Sequence, residues 1–182
     1  MHFEAALHPP QNFSEARHLL ANTSDIYYWV GKAERAAGNE SVATAAFERA
    51  ARQRGDFQQM SVRTISDMSF WSAMAMRQLG EEDEAIKLFR TILAYSETLN
   101  QEQSKIDYFA TSLPTMLLFR DDLEKKQRIE VLFLRAQGNM GLGNIDESKR
   151  LLKEVLSLDH NHSGAADLLE DVKTQLLSAA AS

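Results

Sequence analysis

Apolar residues recur along this chain at helical spacing, and three times they follow the same order. A helix leads to a Gly-bearing turn, and a second helix follows whose apolar positions fall four and then three apart. The first stretch runs Tyr27 to Ala50, turns at Gly38 and continues with Ala43, Phe47 and Ala50. The second turns at Gly80 and continues with Ala85, Phe89 and Ile92; the third turns at Gly143 and continues with Ser148, Leu152 and Val155. Each Gly is preceded, seven positions back, by a small residue: Gly31, Ala73 and Ala136. A helix with one apolar stripe must bury it against a partner, and small residues let two backbones approach closely. One helix pair cannot cover its own stripe, so pairs stack into a solenoid. Strand-like alternation bounded by turns persists nowhere, which predicts an all-α chain.

Caps and breakers set the expected boundaries. Prolines stand only at Pro9, Pro10 and Pro114, so nothing between Pro10 and Pro114 forbids continuous helical hairpins. Residues 1–12 read as a linker and 13–178 as one repeat domain. Ser14 caps a short helix through Leu20, and Ser24 or Asp25 caps the next, which Gly38 ends. Its partner runs from about Ser41 to Arg54 and stops at Gly55. The polar segment Asp56 to Ile65 stays ambiguous, and Ser66 caps the helix that ends at Gly80. The expected units are 24–55, 66–99 and 127–160. Between the last two lies an insert, 100–126, too apolar for a solvated loop: Tyr108, Phe109, Leu117 and Phe119 should pack inside. It reads as two short helices broken near Pro114, with Ser112 as cap, before a helix from roughly Leu123 to Gly141. A capping helix over 163–178 carries Leu168, Leu169, Val172 and Leu176, and 179–182 should fray.

The repeat resembles the tetratricopeptide repeat. The first unit matches through Trp29, Gly31, Gly38, Ala43, Phe47 and Ala50, and the second through Ala73, Gly80, Ala85 and Phe89. The third is degenerate, with Ser148 and Leu152 where Ala and an aromatic are usual. It ends in Leu158-Asp159-His160-Asn161-His162, similar to the family's Leu-Asp-Pro-Asn. The turns stand 42 and 63 positions apart, against a family period of about 34. The resemblance implies a right-handed superhelical stack of antiparallel pairs, an α-solenoid with a helical insert and a C-terminal cap. The runs Ser24 to Trp29, Gly55-Asp56-Phe57 and Ile106 to Pro114 are also similar to the C-terminal part of a family of large bacterial proteins. There a β-rich domain with a suspected carbohydrate role precedes the repeats. That implies a helical region detached from an upstream domain, with no catalytic residue to carry over.

Charge and composition narrow the functional classes. The chain has 182 residues, 25% charged and 44% hydrophobic, with a net charge of −6. A broad nucleic-acid footprint needs clustered positive charge, so nucleic acid is not an expected partner. There is no cysteine, which removes disulfides, thiolate metal sites and Cys nucleophiles. A reducing compartment fits, and the cytoplasm is the expected location. No apolar run is long enough for a membrane span, and the N-terminus lacks a signal-peptide pattern.

Catalytic motifs are thin: no phosphate-binding Gly loop, nucleophile elbow or HExxH is present. His160 and His162 beside Asp159 are weak metal-ligand candidates. Arg54-Gly55-Asp56 spells an adhesion tripeptide that chance and a helix stop explain. Glu81 to Glu84 suits a helix first turn. Asp121, Asp122 and Glu124 sit among cations and read as a solvated face rather than an acid/base pair. No catalytic residue, cofactor or metal is expected, and the chain reads as a non-enzyme. The family's inner helices imply a binding groove lined by Tyr28, Lys32, Arg35, Phe70, Met74, Arg77, Phe133 and Gln137. That face would take a protein or peptide, or the chain's own upstream domain, and homo-oligomers remain compatible. The alternative is an accessory region of a larger carbohydrate-active enzyme.

Overall fold

Helices α1 (Ser24–Ala36) and α2 (Glu40–Arg52) form the first antiparallel pair, closed at Gly38. A two-stranded antiparallel ribbon follows, β1 (Asp56–Gln58) with β2 (Ser61–Arg63), in the register Asp56↔Arg63, Phe57↔Val62, Gln58↔Ser61. Then come α3 (Met68–Gln78), α4 (Glu82–Gln101), α5 (Met116–Gly141), α6 (Ile145–Leu158) and α7 (Ser163–Ala180). The computed structural model describes residues 21–58, 61–101 and 116–180. This is an all-α helical-repeat fold, and the short ribbon is the only sheet among the described residues.

The three turns are the same object built three times. Gly38, Gly80 and Gly143 adopt φ of 83°, 80° and 83°, left-handed values that a side chain disfavours. At each turn the Gly N–H donates three residues back, to Arg35 O, Arg77 O and Met140 O, at 3.1, 3.0 and 3.1 Å. The next N–H reaches five back, from Asn39 to Glu34 O, Glu81 to Met76 O and Asn144 to Asn139 O, each at 2.9 Å. These bonds satisfy carbonyls that a helix end would leave open. The unequal spacing of the glycines therefore lies in what separates the units, not in the units.

The contacts gather into two compact units, Met1–Ile92 and Leu93–Ser182. In the first, α1 packs on both α2 and α3, and α2 also packs on α3. Its core holds Ala43, Phe47, Ala50, Ala73, Ala85, Phe89 and Ile92, all without exposure. Gly31 lies against the Phe47 ring: a Cβ there would be 2.6 Å from Phe47 Cε1. In the second unit α6 packs on α5 and α7, around Leu134, Ala136, Leu152, Val155 and Val172. Ser148 is fully buried there, and its hydroxyl donates to Ala136 O at 2.8 Å. The small polar residue fits the alanine position because α5 offers that carbonyl.

One open segment gains a structure, and two expectations change. The segment after Gly55, ambiguous in the sequence, contains a ribbon; strands of three residues are too short to show an alternation. Residues 116–141 form one helix, so no break separates the end of the insert from the first helix of the third unit. Helix α7 continues through Ala180, into the tail expected to fray. The Ser14–Leu20 helix, the break near Pro114 and the packing of Tyr108, Phe109, Leu117 and Phe119 fall outside the described positions. Capping also differs in detail. Thr23 precedes α1 without a side-chain cap bond, while Ser24 is buried with its Oγ 2.9 Å from Ser72 Oγ. Ser66 does receive an N–H, from Met68 at 3.2 Å.

Candidate functional site

Tyr28-Trp29 on α1 and Phe70-Trp71 on α3 occupy equivalent places in the first two units. Consecutive helical residues point roughly 100° apart, so one ring of each pair enters the core and the other turns toward the surface. Tyr28 is 5% exposed and Phe70 1%, whereas Trp29 and Trp71 are half-buried. The rings form one continuous line: Phe47 to Tyr28 at 6.0 Å, Tyr28 to Trp71 at 5.2 Å, Trp71 to Phe70 at 5.1 Å and Phe70 to Phe89 at 5.9 Å. Trp29 joins at 5.4 Å from Tyr28 and 5.7 Å from Trp71. Such tilted contacts add about 0.5–1.5 kcal/mol per pair to the burial itself. They also bring α1 and α3 side by side. One turn further along lie Lys32, exposed, and Met74, half-buried. Lys32 makes no ion pair among the described residues. Tyr28, Trp29 and Trp71 thus form a cluster of three mutually contacting rings.

Arg35 and Arg77 each bridge a turn. Arg35 grips Glu40 with Nε at 3.1 and 3.2 Å from the two carboxylate oxygens and Nη2 at 2.7 Å from Oε1. Its guanidinium lies 4.7 Å from the Phe47 ring centre, and Nη1 donates to Gln78 Oε1 at 2.7 Å. Arg77 repeats the arrangement on Glu82, at 3.0, 3.1 and 2.7 Å, and sits 4.9 Å above Phe89. Each clamp spans its Gly turn and lies over the repeat's core aromatic. In the third unit the equivalent positions are Met140 and Ile145, and the clamp is missing.

Of the eight residues expected to line a groove, Tyr28, Phe70, Phe133 and Gln137 are buried. Phe133 lies 4.5 Å from the His162 ring and closes against Gly164 of α7. Arg35 and Arg77 are partly exposed and bonded to Glu40 and Glu82, Lys32 is exposed and Met74 is half-buried. Trp29 and Trp71, not among those eight, are half-buried with their rings 5.7 Å apart. An aromatic followed by Trp recurs at the same place in two repeats.

The remaining motifs resolve into structural roles. His160 Nδ1 is hydrogen-bonded to the Leu156 carbonyl, and His162 Nδ1 accepts the Ala165 N–H at 3.1 Å, capping α7. No group of three His, Asp or Glu is arranged to hold a metal among the described residues. Asp56 is 6% exposed and its Oδ1 accepts the Asn22 N–H at 2.9 Å, so Arg54-Gly55-Asp56 does not display its acid. Glu82, Asp83 and Glu84 lie exposed in the first turn of α4. Glu124 is exposed, while the side chains of Asp121 and Asp122 fall outside the described positions.

A tetratricopeptide repeat family model matches residues 67–109. The match takes in α3 and α4, where Ala73, Gly80, Ala85 and Phe89 stand, and it says nothing of an upstream domain. No solved structure gives a significant match to the chain. Among the described residues, no helix is long and apolar enough to cross a membrane.

Proposed function

We propose that this chain is a non-catalytic helical-repeat scaffold that holds an extended segment of a partner protein on the face made by Trp29, Lys32, Trp71 and Met74. Repeats of the matched kind commonly mediate protein–protein interaction, and the described site residues are occupied with packing and clamps rather than chemistry. The observation that carries the reading is the repeated tryptophan: two large, half-buried rings meet at 5.7 Å on adjacent helices. Large aromatics of this kind are enriched at the energetic centre of protein interfaces. A lone cation on a chain of net charge −6 would favour acidic side chains beside the apolar contact.

The chain has two tryptophans, and both lie on this face, so its intrinsic fluorescence reports occupancy directly. Partners captured by the wild-type chain should shift that emission on binding. Lys32→Glu with Met74→Glu should reduce capture, chiefly through a slower association whose deficit shrinks at high salt. Circular dichroism of the double variant should stay unchanged, because neither side chain is in the core. Undiminished capture of the same partner, or capture with no change in emission, would refute this face.

A further inference from the structure

The face made by Trp29, Lys32, Trp71 and Met74 is chemically one-sided. An indole N–H only donates, and so does an ammonium, while the Met thioether is a weak acceptor. Trp29, Trp71 and Lys32 therefore bring donors and no strong acceptor. None of the three has a hydrogen-bond or ion-pair partner among the described residues, and neither indole nitrogen is shut away from solvent. Carboxylates do stand one turn earlier: Asp25 lies four residues before Trp29, and Asp67 four before Trp71. Both are half-buried and already have partners of their own, so they do not satisfy the indoles.

A ligand for such a surface must bring apolar bulk and open acceptors, with few donors. A strand brings an N–H at every residue, and this face offers those groups nothing strong to bind. A helix has engaged most of its carbonyls internally. A polyproline II segment fits better. Proline has no backbone N–H, the conformation makes no internal hydrogen bonds, so its carbonyls stay open, and its rings dock on aromatic side chains. We propose, resting on the reading of this face as the binding surface, that its occupant is a proline-rich segment of a partner protein, flanked by acidic residues. The segment's carbonyls accept from the two indole N–H groups, its rings lie on the half-buried indoles, and a flanking acid meets Lys32. Its preformed backbone keeps the ordering cost of binding low.

The probe is a peptide of eight prolines with two aspartates at each end, titrated into the full chain at low salt. Both tryptophans of the chain lie on the face and the peptide has none, so the chain's own emission reads occupancy. The emission should change saturably. The same peptide with lysines at its ends should bind about tenfold more weakly. So should a peptide of alternating alanine and valine between the aspartates, which keeps charge and apolar bulk but restores the N–H groups, about tenfold weaker again on the donor mismatch alone. Trp29→Phe and Trp71→Phe each keep a ring and remove one N–H. Followed through the remaining tryptophan, at least one should weaken the proline peptide by about tenfold. Lys32→Glu should weaken it by an amount that shrinks with added salt. No saturable change at millimolar peptide, equal affinity for the alanine–valine peptide, or wild-type affinity in both Phe variants would overturn the inference. Partner capture by Lys32→Glu with Met74→Glu judges the face separately. Capture lost in that variant while the proline peptide fails to bind would mean that the face takes a partner of other chemistry. Undiminished capture would refute face and ligand together.

Discussion

At the scale of single residues, tolerance is smallest where α1 meets α2. Gly31 has no room for a methyl, because three Phe47 ring atoms lie within 2.8 Å of the Cβ it would carry. Phe47 cannot move away: it is fully buried, with Tyr28 on one side and Arg35 over its face. Gly31→Ala should therefore destabilise the first unit by about 1–3 kcal/mol, the usual cost of overpacking, despite the better helix propensity of Ala. A denaturant melt with an unchanged midpoint would show that the ring yields. Arg77 poses the opposite question, because its charge resembles a ligand contact and its geometry is that of a clamp. Arg77→Ala should lower stability by up to about 1 kcal/mol, as expected of a partly exposed pair, and should leave partner capture intact. Lys32→Ala should do the reverse. If Arg77→Ala spared stability and abolished capture, the guanidinium would be serving a ligand.

Elements show how far sequence reaches. The apolar register identified Phe47, Phe89 and Leu152 as core, and all three are fully buried, because a helical stripe records its burial in its own spacing. The inner face was harder to read. Choosing between Tyr28 and Trp29, or Phe70 and Trp71, depends on what the neighbouring helix presents, and adjacent positions differ by only about 100°. The Arg clamps escaped for a similar reason: Arg35 to Glu40 and Arg77 to Glu82 cross a turn, so no within-helix spacing announces them. The ribbon escaped because three residues per strand carry almost no periodicity. Within α6 a pairing that follows helical spacing is legible and testable. Glu147 lies three residues before Arg150, whose guanidinium bonds at 2.8 and 2.9 Å hold the carboxyl below the ordinary glutamate range. A lowered folded value means the pair contributes fully above the unfolded glutamate pKa and is lost as pH falls through the folded one. Both side chains are solvent-exposed, so the effect on stability is small. The cleaner readout is a carboxyl NMR titration: Glu147 should titrate below an isolated glutamate, and Arg150→Ala should return it to the ordinary range. Identical curves for both proteins would show that the pair does not persist in solution.

For the molecule as a whole, the consequence of two compact units is that stability need not be shared evenly. The first unit centres on Phe47, Phe70 and Phe89, and the second on Leu134, Leu152, Val155 and Val172. The division falls between Ile92 and Leu93, within the Glu82–Gln101 span of α4. Cooperative opening follows such units when each closes its own core. Phe47→Ala removes a ring that lies wholly in the first unit and should cost about 3–5 kcal/mol there, a large part of a typical domain's stability of about 5–15 kcal/mol. Hydrogen exchange of the variant should therefore accelerate across α1, α2 and α3, fade along α4 near Ile92, and leave α6 and α7 as slow as in the wild type. Leu152→Ala should produce the mirror image, fast in α5 to α7 and unchanged in α1 to α3. Uniform acceleration by either substitution would mean that α4 transmits the loss and the chain opens as one block. Partner binding on the tryptophan face would then stabilise the whole chain, whereas with separate units it would slow exchange in the first unit alone.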